Sequence, residues 1–128
     1  MSVPLVVIPR CQEAADCAVV ALAQWLSLPY TQVAAAVATV RPMALAEGMY
    51  QSEIVKVARI FGRTMRTRRR FQQEDRPSGL LMLALKDGHH AVVLFEGVII
   101  SDGKVWNYEA FMVQAKAKAL SLLTEDEE

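Results

Sequence analysis

The chain has 128 residues, of which 53% are hydrophobic, and its 14 basic and 14 acidic residues cancel to a formal net charge of zero at pH 7. This length predicts a single domain, residues 1–128, and the apolar content argues against disorder. Zero net charge argues against nucleic acid as the main partner, and no apolar run reaches the ~18–20 residues that a membrane helix needs.

The two cysteines and the N-terminus indicate a cellular compartment. Cys11 and Cys17 are six positions apart, so a bridge between them would constrain little of the chain. The N-terminus lacks the basic segment and the cleavage site of a signal peptide. The sequence therefore predicts a cytoplasmic protein with reduced thiols. Neither cysteine has the paired short spacing of a zinc site, and we expect neither a metal nor a cofactor.

The first half of the chain predicts one short strand and three helices. Val3–Ile8 is β-branched and apolar, which is typical of an edge strand. The first helix begins near Asp16 and runs to about Leu28; it is apolar nearly all round, so it should lie in the middle of the domain. The other two helices are predicted over 31–40 and 51–61, the last with apolar residues at i, i+3, i+4 and i+7.

The second half changes to strand patterns. Strands are predicted at 64–68, 80–85, 90–94, 98–102 and 105–108. The first of them should display arginine on one face. A closing helix is predicted over 109–123, followed by a frayed acidic tail, 124–128. Helices followed by antiparallel strands are typical of the α+β class.

Cys17 enters the first helix at its first turn. Free backbone N–H groups and the positive end of the helix dipole favour a thiolate there, and a thiolate is a nucleophile. The alternative is a small core residue, since free cysteine is among the most buried residue types.

His89, His90 and Asp102 bracket the predicted hairpin. A two-residue turn at Glu96-Gly97 would place His90 and Asp102 on opposite faces of the sheet. A three-residue loop, 95–97, instead sets His90 directly across from Asp102 with Cβ atoms ~5 Å apart, and turns His89 the other way. We favour this second register, because the carboxylate then fixes the imidazole tautomer and leaves the other nitrogen for the cysteine. A purely structural hydrogen bond in the hairpin is the alternative.

Together these motifs resemble the papain-like cysteine peptidases that trim double-glycine leader peptides, which are N-terminal domains of bacteriocin-exporting ABC transporters. The similar segments are spread along most of the chain: Gln12 to Cys17, Glu47–Gly62, Pro77–Leu83, Gly88–Leu94 and Ile99–Asp102.

The resemblance implies a papain-like fold, with N-terminal helices packed on a C-terminal antiparallel sheet. It also implies a Cys-His-Asp mechanism with Cys17 as nucleophile, His90 as base and Asp102 as orienting carboxylate, and it assigns Gln12 to the oxyanion hole. The implied substrate is a peptide or protein, cleaved at a peptide or isopeptide bond after a small residue such as glycine.

Departures from the family pattern leave other functions open. Ala18 stands where the family has glycine, Gln12 lies five residues before the cysteine instead of six, and Gly103 replaces a proline. The alternative to a freestanding peptidase is therefore a catalytically degenerate copy that binds a peptide or protein partner. In a third hypothesis the arginine-rich stretch Arg59–Arg70 binds an acidic partner, although a solvated basic edge is the simpler interpretation.

Overall fold

The computed structural model of the chain describes residues 16–44, 48–72, 76–85, 88–101 and 104–125. Within them the protein has the α+β class, with four helices and one six-stranded antiparallel sheet. The helices are α1 (Cys17–Leu26), α2 (Tyr30–Val40), α3 (Gln51–Ile60) and α4 (Tyr108–Ala115). The strands are β1 (Met65–Arg68), β2 (Gly79–Leu85), β3 (Gly88–Phe95), β4 (Val98–Ser101), β5 (Lys104–Asn107) and β6 (Lys118–Glu125).

The three predicted N-terminal helices are confirmed to within two residues at each end. α1 stops where Ser27 adopts a left-handed conformation, φ 61°. α3 begins where the Glu53 carboxylate accepts the backbone N–H of Tyr50 at 2.8 Å, and it ends two residues before Gly62, which has a left-handed φ of 78°. The strand predicted at 3–8 lies outside the described residues.

The predicted closing helix over 109–123 is wrong in its second half. α4 ends at Ala115 because Lys116 adopts a left-handed conformation, φ 52°, and the chain then returns as β6. This strand is inserted between β1 and β2, giving the order β1-β6-β2-β3-β4-β5. Its consecutive Leu122 and Leu123 are both fully buried, because an interior strand is covered on both faces.

The boundary of the acidic tail is also corrected. Thr124 and Glu125, which we expected to fray, belong to β6 and pair with Arg66 and Met65 of β1. Residues 126–128 lie outside the described part of the chain.

Helices cover both faces of the sheet. α1 packs on β2 and β3 with α2 and α3 against it, and every residue of α1 after Cys17 is buried, as predicted for a central helix. We call this side the α1 face; its sheet residues include Leu80, Met82, Ala91, Val93, Ile100 and Leu123. Phe111 of α4 packs on the other side, the α4 face, whose sheet residues include Leu81, Leu83, Val92, Leu94, Ile99 and Leu122.

The hairpin between β3 and β4 has the other register from the one we favoured. Phe95 pairs with Val98, so the connection is the two-residue turn Glu96-Gly97. Both turn residues have positive φ, 48° and 87°, which is the type I′ geometry that matches strand twist. The loop before β2 holds the turn in place. The Glu96 N–H donates to the Ser78 hydroxyl at 2.8 Å, and the Gly97 N–H donates to the Pro77 carbonyl at 3.2 Å.

Candidate functional site

Cys17 lies where the central helix meets the sheet. It is the first residue of α1, its side chain is partly buried, and its thiol is hydrogen-bonded to the backbone of Ala91 in β3. Ala91 directly follows the His89-His90 dipeptide. The packing of α1 on β3 therefore brings the candidate nucleophile to the strand that carries both candidate bases.

The protonation state of Cys17 differs from the sequence prediction. Burial raises the pKa of the thiol above its ordinary value, and the nearby charge of Asp16 raises it further. The backbone amides of Ala91, Ala18 and Cys17 itself act in the opposite direction, but burial outweighs them. The backbone at the helix N-terminus does stabilise the thiolate, as expected, but by less than burial destabilises it. The thiol of the free protein is therefore protonated near neutral pH.

The two histidines lie on different faces of the sheet. Ala91 and Val93 of β3 contribute to the α1 face, whereas Val92 and Leu94 contribute to the α4 face. Successive side chains of a strand alternate, and the pairing of β3 with β2 continues without a bulge to Gly88. His89 therefore shares the α1 face with Cys17, while His90 belongs to the α4 face, which is the reverse of the predicted arrangement.

The spacing along β3 sets how near His89 lies to the thiol. His89 is two residues before Ala91 on the same face, which corresponds to about 7 Å between their Cα atoms. Its side chain is exposed, and His90 is partly buried. The register that we favoured turned His89 away from the cysteine, and no local pattern in the hairpin excluded that register, because Glu96-Gly97 suits either turn.

The other two predicted site residues, Asp102 and Gln12, lie outside the described residues. Their assigned roles as orienting carboxylate and oxyanion donor stay predictions. The pairing of His90 with Asp102 was argued from the three-residue loop, and that register is wrong for the described part of the hairpin.

A partly buried hydrogen bond holds Asp16, the residue that precedes Cys17. Asp16 is 1% exposed, and its carboxylate accepts a hydrogen bond from the Tyr30 hydroxyl at 2.7 Å. Tyr30 is the first residue of α2, so this contact ties the start of α2 to the start of α1. No sequence pattern predicts this pair, because the two residues belong to different elements and have no motif spacing.

Among the described residues, no group of three or more histidine, cysteine or carboxylate side chains is arranged to hold a metal ion. No helix in the same residues is both long and apolar enough to cross a membrane. Comparisons with family profiles, with curated proteins and with solved structures gave no match.

Proposed function

We propose that the chain is a papain-like cysteine peptidase that hydrolyses a peptide or isopeptide bond, with Cys17 as nucleophile and the His89-His90 pair as the source of the base. The observation that supports this proposal is the position of the Cys17 thiol, at the first turn of a buried central helix and bonded to the strand that carries both histidines. A helix that begins at a cysteine and packs on an antiparallel sheet agrees with the family that the sequence resembles.

The raised pKa of Cys17 determines which form of the mechanism is proposed. Because the thiol starts protonated, an imidazole takes its proton as the sulfur attacks the carbonyl carbon. The same imidazolium then protonates the leaving amine, and water hydrolyses the resulting thioester. The backbone N–H of Cys17 serves as one oxyanion donor in this proposal and Gln12 as the other.

Two histidines are candidates for the base that takes the proton of Cys17. His89 shares the face of Cys17 and is exposed, so its imidazole is free to turn toward the thiol. His90 is the residue that the family resemblance assigns, and its use requires that this end of β3 rearrange when substrate binds. Catalytic contacts are often incomplete in a free enzyme and form only with substrate.

A second candidate function is peptide or protein binding without catalysis. Two observations favour it: burial raises the pKa of Cys17, and β3 sends His90 to the face away from the thiol. In this reading Cys17 is a core residue of a degenerate fold, and the surface around it binds a partner that is released uncut.

Quenched fluorescent peptides with a central Gly-Gly bond test both candidates. We expect slow hydrolysis by the wild type, none by Cys17→Ser, and unchanged hydrolysis by the matched control Cys11→Ser. Alanine at the true base should lower the rate about 10²–10⁴-fold, and alanine at the other histidine should have little effect. A wild type that binds these peptides and leaves them intact would reject the peptidase and favour the binding module.

A further inference from the structure

A groove of about 420 Å³ opens on the α4 face of the sheet, the side away from Cys17. Its lining residues come from the segment after β1, from the start of α4 and from β6: Arg69, Arg70, Phe71, Gln72, Tyr108 and Ala119. This volume lies within the usual range for ligand sites. The groove is therefore separate from the proposed catalytic centre.

Two cationic side chains of this groove are available to a ligand. Arg69 and Arg70 are exposed, and the ion pairs formed within the described residues, Arg41 with Glu53 and Arg63 with Glu125, involve neither of them. Arginine presents a planar fork of donors that matches a carboxylate with two parallel hydrogen bonds. The adjoining strand extends this positive surface, because β1 alternation places Arg68 on the same face as Leu122, its partner in β6.

The remaining wall of the groove is largely apolar. Phe71, Tyr108 and Ala119 are half-buried and pack against the core of the α4 face. Burial raises the pKa of the Tyr108 hydroxyl, which therefore stays a neutral hydrogen-bond donor at all physiological pH values. A ligand for this site combines negative charge with an apolar group.

The position of the groove favours an extended polypeptide. It lies at the end of β1, which is an edge strand: among the described strands it pairs only with β6. Many domains bind extended peptides beside the edge of a sheet, and the arginines of this groove continue the line of β1. A polyanion such as nucleic acid is disfavoured because the chain has a net charge of zero.

We propose that the groove at the end of β1 binds an acidic, extended segment of a protein partner, with Arg69 and Arg70 pairing its carboxylates and with Phe71 and Tyr108 contacting a neighbouring apolar side chain. The site stands independently of the peptidase proposal, since it lies on the opposite face of the sheet. The groove would recognise a protein partner whether or not Cys17 is catalytic.

Fluorescence anisotropy with a labelled peptide of alternating glutamate and leucine tests the proposal on the full chain. We expect measurable binding by the wild type and a loss of about tenfold or more in Arg69→Glu/Arg70→Glu. The matched control Lys56→Glu/Arg59→Glu carries the same change of charge on exposed positions of α3 and should lose less than about threefold. Tyr108→Ala should weaken binding, and a glutamine-for-glutamate peptide should not bind.

Two further measurements make the result decisive. Circular dichroism and the iodoacetamide reactivity of Cys17 should be unchanged in Arg69→Glu/Arg70→Glu, which shows that the fold and the other face are intact. Cys17→Ser should bind the acidic peptide as the wild type does, so that failure of the peptidase proposal does not affect this one. Equal weakening by both charge-reversal pairs, or no binding at about 1 mM protein, would overturn the proposal. So would an oligothymidine that binds more tightly than the peptide through the same arginines.

Discussion

Replacing Glu125 by alanine should destabilise the protein, because this carboxylate joins three separate elements. It accepts a hydrogen bond from the indole N–H of Trp25 in α1 at 2.7 Å. It also accepts two from the guanidinium of Arg63, which follows α3, at 2.6 Å and 2.5 Å. Glu125 itself is the last residue of β6, so the contact holds the end of the central helix against the sheet.

The magnitude follows from the number and exposure of these bonds. A hydrogen bond to a charged group contributes ~1.5–3 kcal/mol, and breaking a fully buried ion pair costs ~3–5 kcal/mol. The side chains of Arg63 and Glu125 are 27% and 17% exposed, so solvent offsets part of this loss. We expect Glu125→Ala to lower the free energy of unfolding by about 2–4 kcal/mol.

Urea unfolding followed by circular dichroism measures this effect. Arg63→Ala should lose a similar amount, and the double variant should lose less than the sum of the two, because the residues interact directly. Arg59→Ala, an exposed arginine in the last turn of α3, is the matched control and should lose less than about 1 kcal/mol. A loss below about 0.5 kcal/mol in Glu125→Ala, or strict additivity in the double variant, would show that Glu125 and Arg63 do not stabilise the fold through this contact.

The same contact predicts a pH dependence. Burial alone would raise the pKa of Glu125, but the hydrogen bonds from Arg63 and Trp25 outweigh it and hold the pKa below its ordinary value. The carboxylate therefore contributes stability above the ordinary pKa of ~4.3, and this contribution disappears as the pH falls through the folded-state value. The difference in unfolding free energy between wild type and Glu125→Gln should be constant near neutral pH and shrink in acid; a constant difference throughout would contradict the assignment.

Three further substitutions test the hairpin, the sheet and the thiol. Gly97→Ala should lower the free energy of unfolding by about 1 kcal/mol, because φ is 87° there, and urea unfolding would detect it. Gly79→Ala should cost about 2–3 kcal/mol by the same assay, because a Cβ would lie 2.2 Å from the Leu123 carbonyl oxygen. Asp16→Asn should move the pH midpoint of Cys17 alkylation downward, because the charge of Asp16 raises the thiol pKa; an unmoved midpoint would remove that cause.

Local patterns predicted the helical half of the fold well. The apolar sequence of α1 and the i, i+3, i+4 spacing of α3 are encoded in neighbouring residues, so the sequence alone located them. β6 was not predicted because its alanine- and leucine-rich sequence suits a helix. It forms a strand because it is hydrogen-bonded to β1 on one side and to β2 on the other. Its burial depends on contacts with β1 and β2, which are far away along the chain.

The candidate site was predicted in part for the same reason. The position of Cys17 at the first turn of α1 follows from local sequence, and the structure confirms it. Which of His89 and His90 shares a face with Cys17 depends on the side of β3 on which α1 packs, and this contact joins residues that are far apart along the chain. The register of β3 with β4 was also not determined locally, because Glu96-Gly97 permits two turns and hydrogen bonds to Pro77 and Ser78 accompany the one observed. The thiol pKa depends on how deeply α1 is buried, which no motif reports.

Covalent capture of Cys17 is the most direct test of the peptidase proposal. A peptide vinyl sulfone ending in Gly-Gly would be incubated with the folded protein near neutral pH, and the adduct located by mass spectrometry. We expect one adduct on Cys17, formed faster than in the urea-unfolded chain and lost in the variant that lacks the true base. Labelling of Cys17 no faster in the folded protein than in the unfolded chain would show an ordinary buried cysteine and contradict the peptidase proposal.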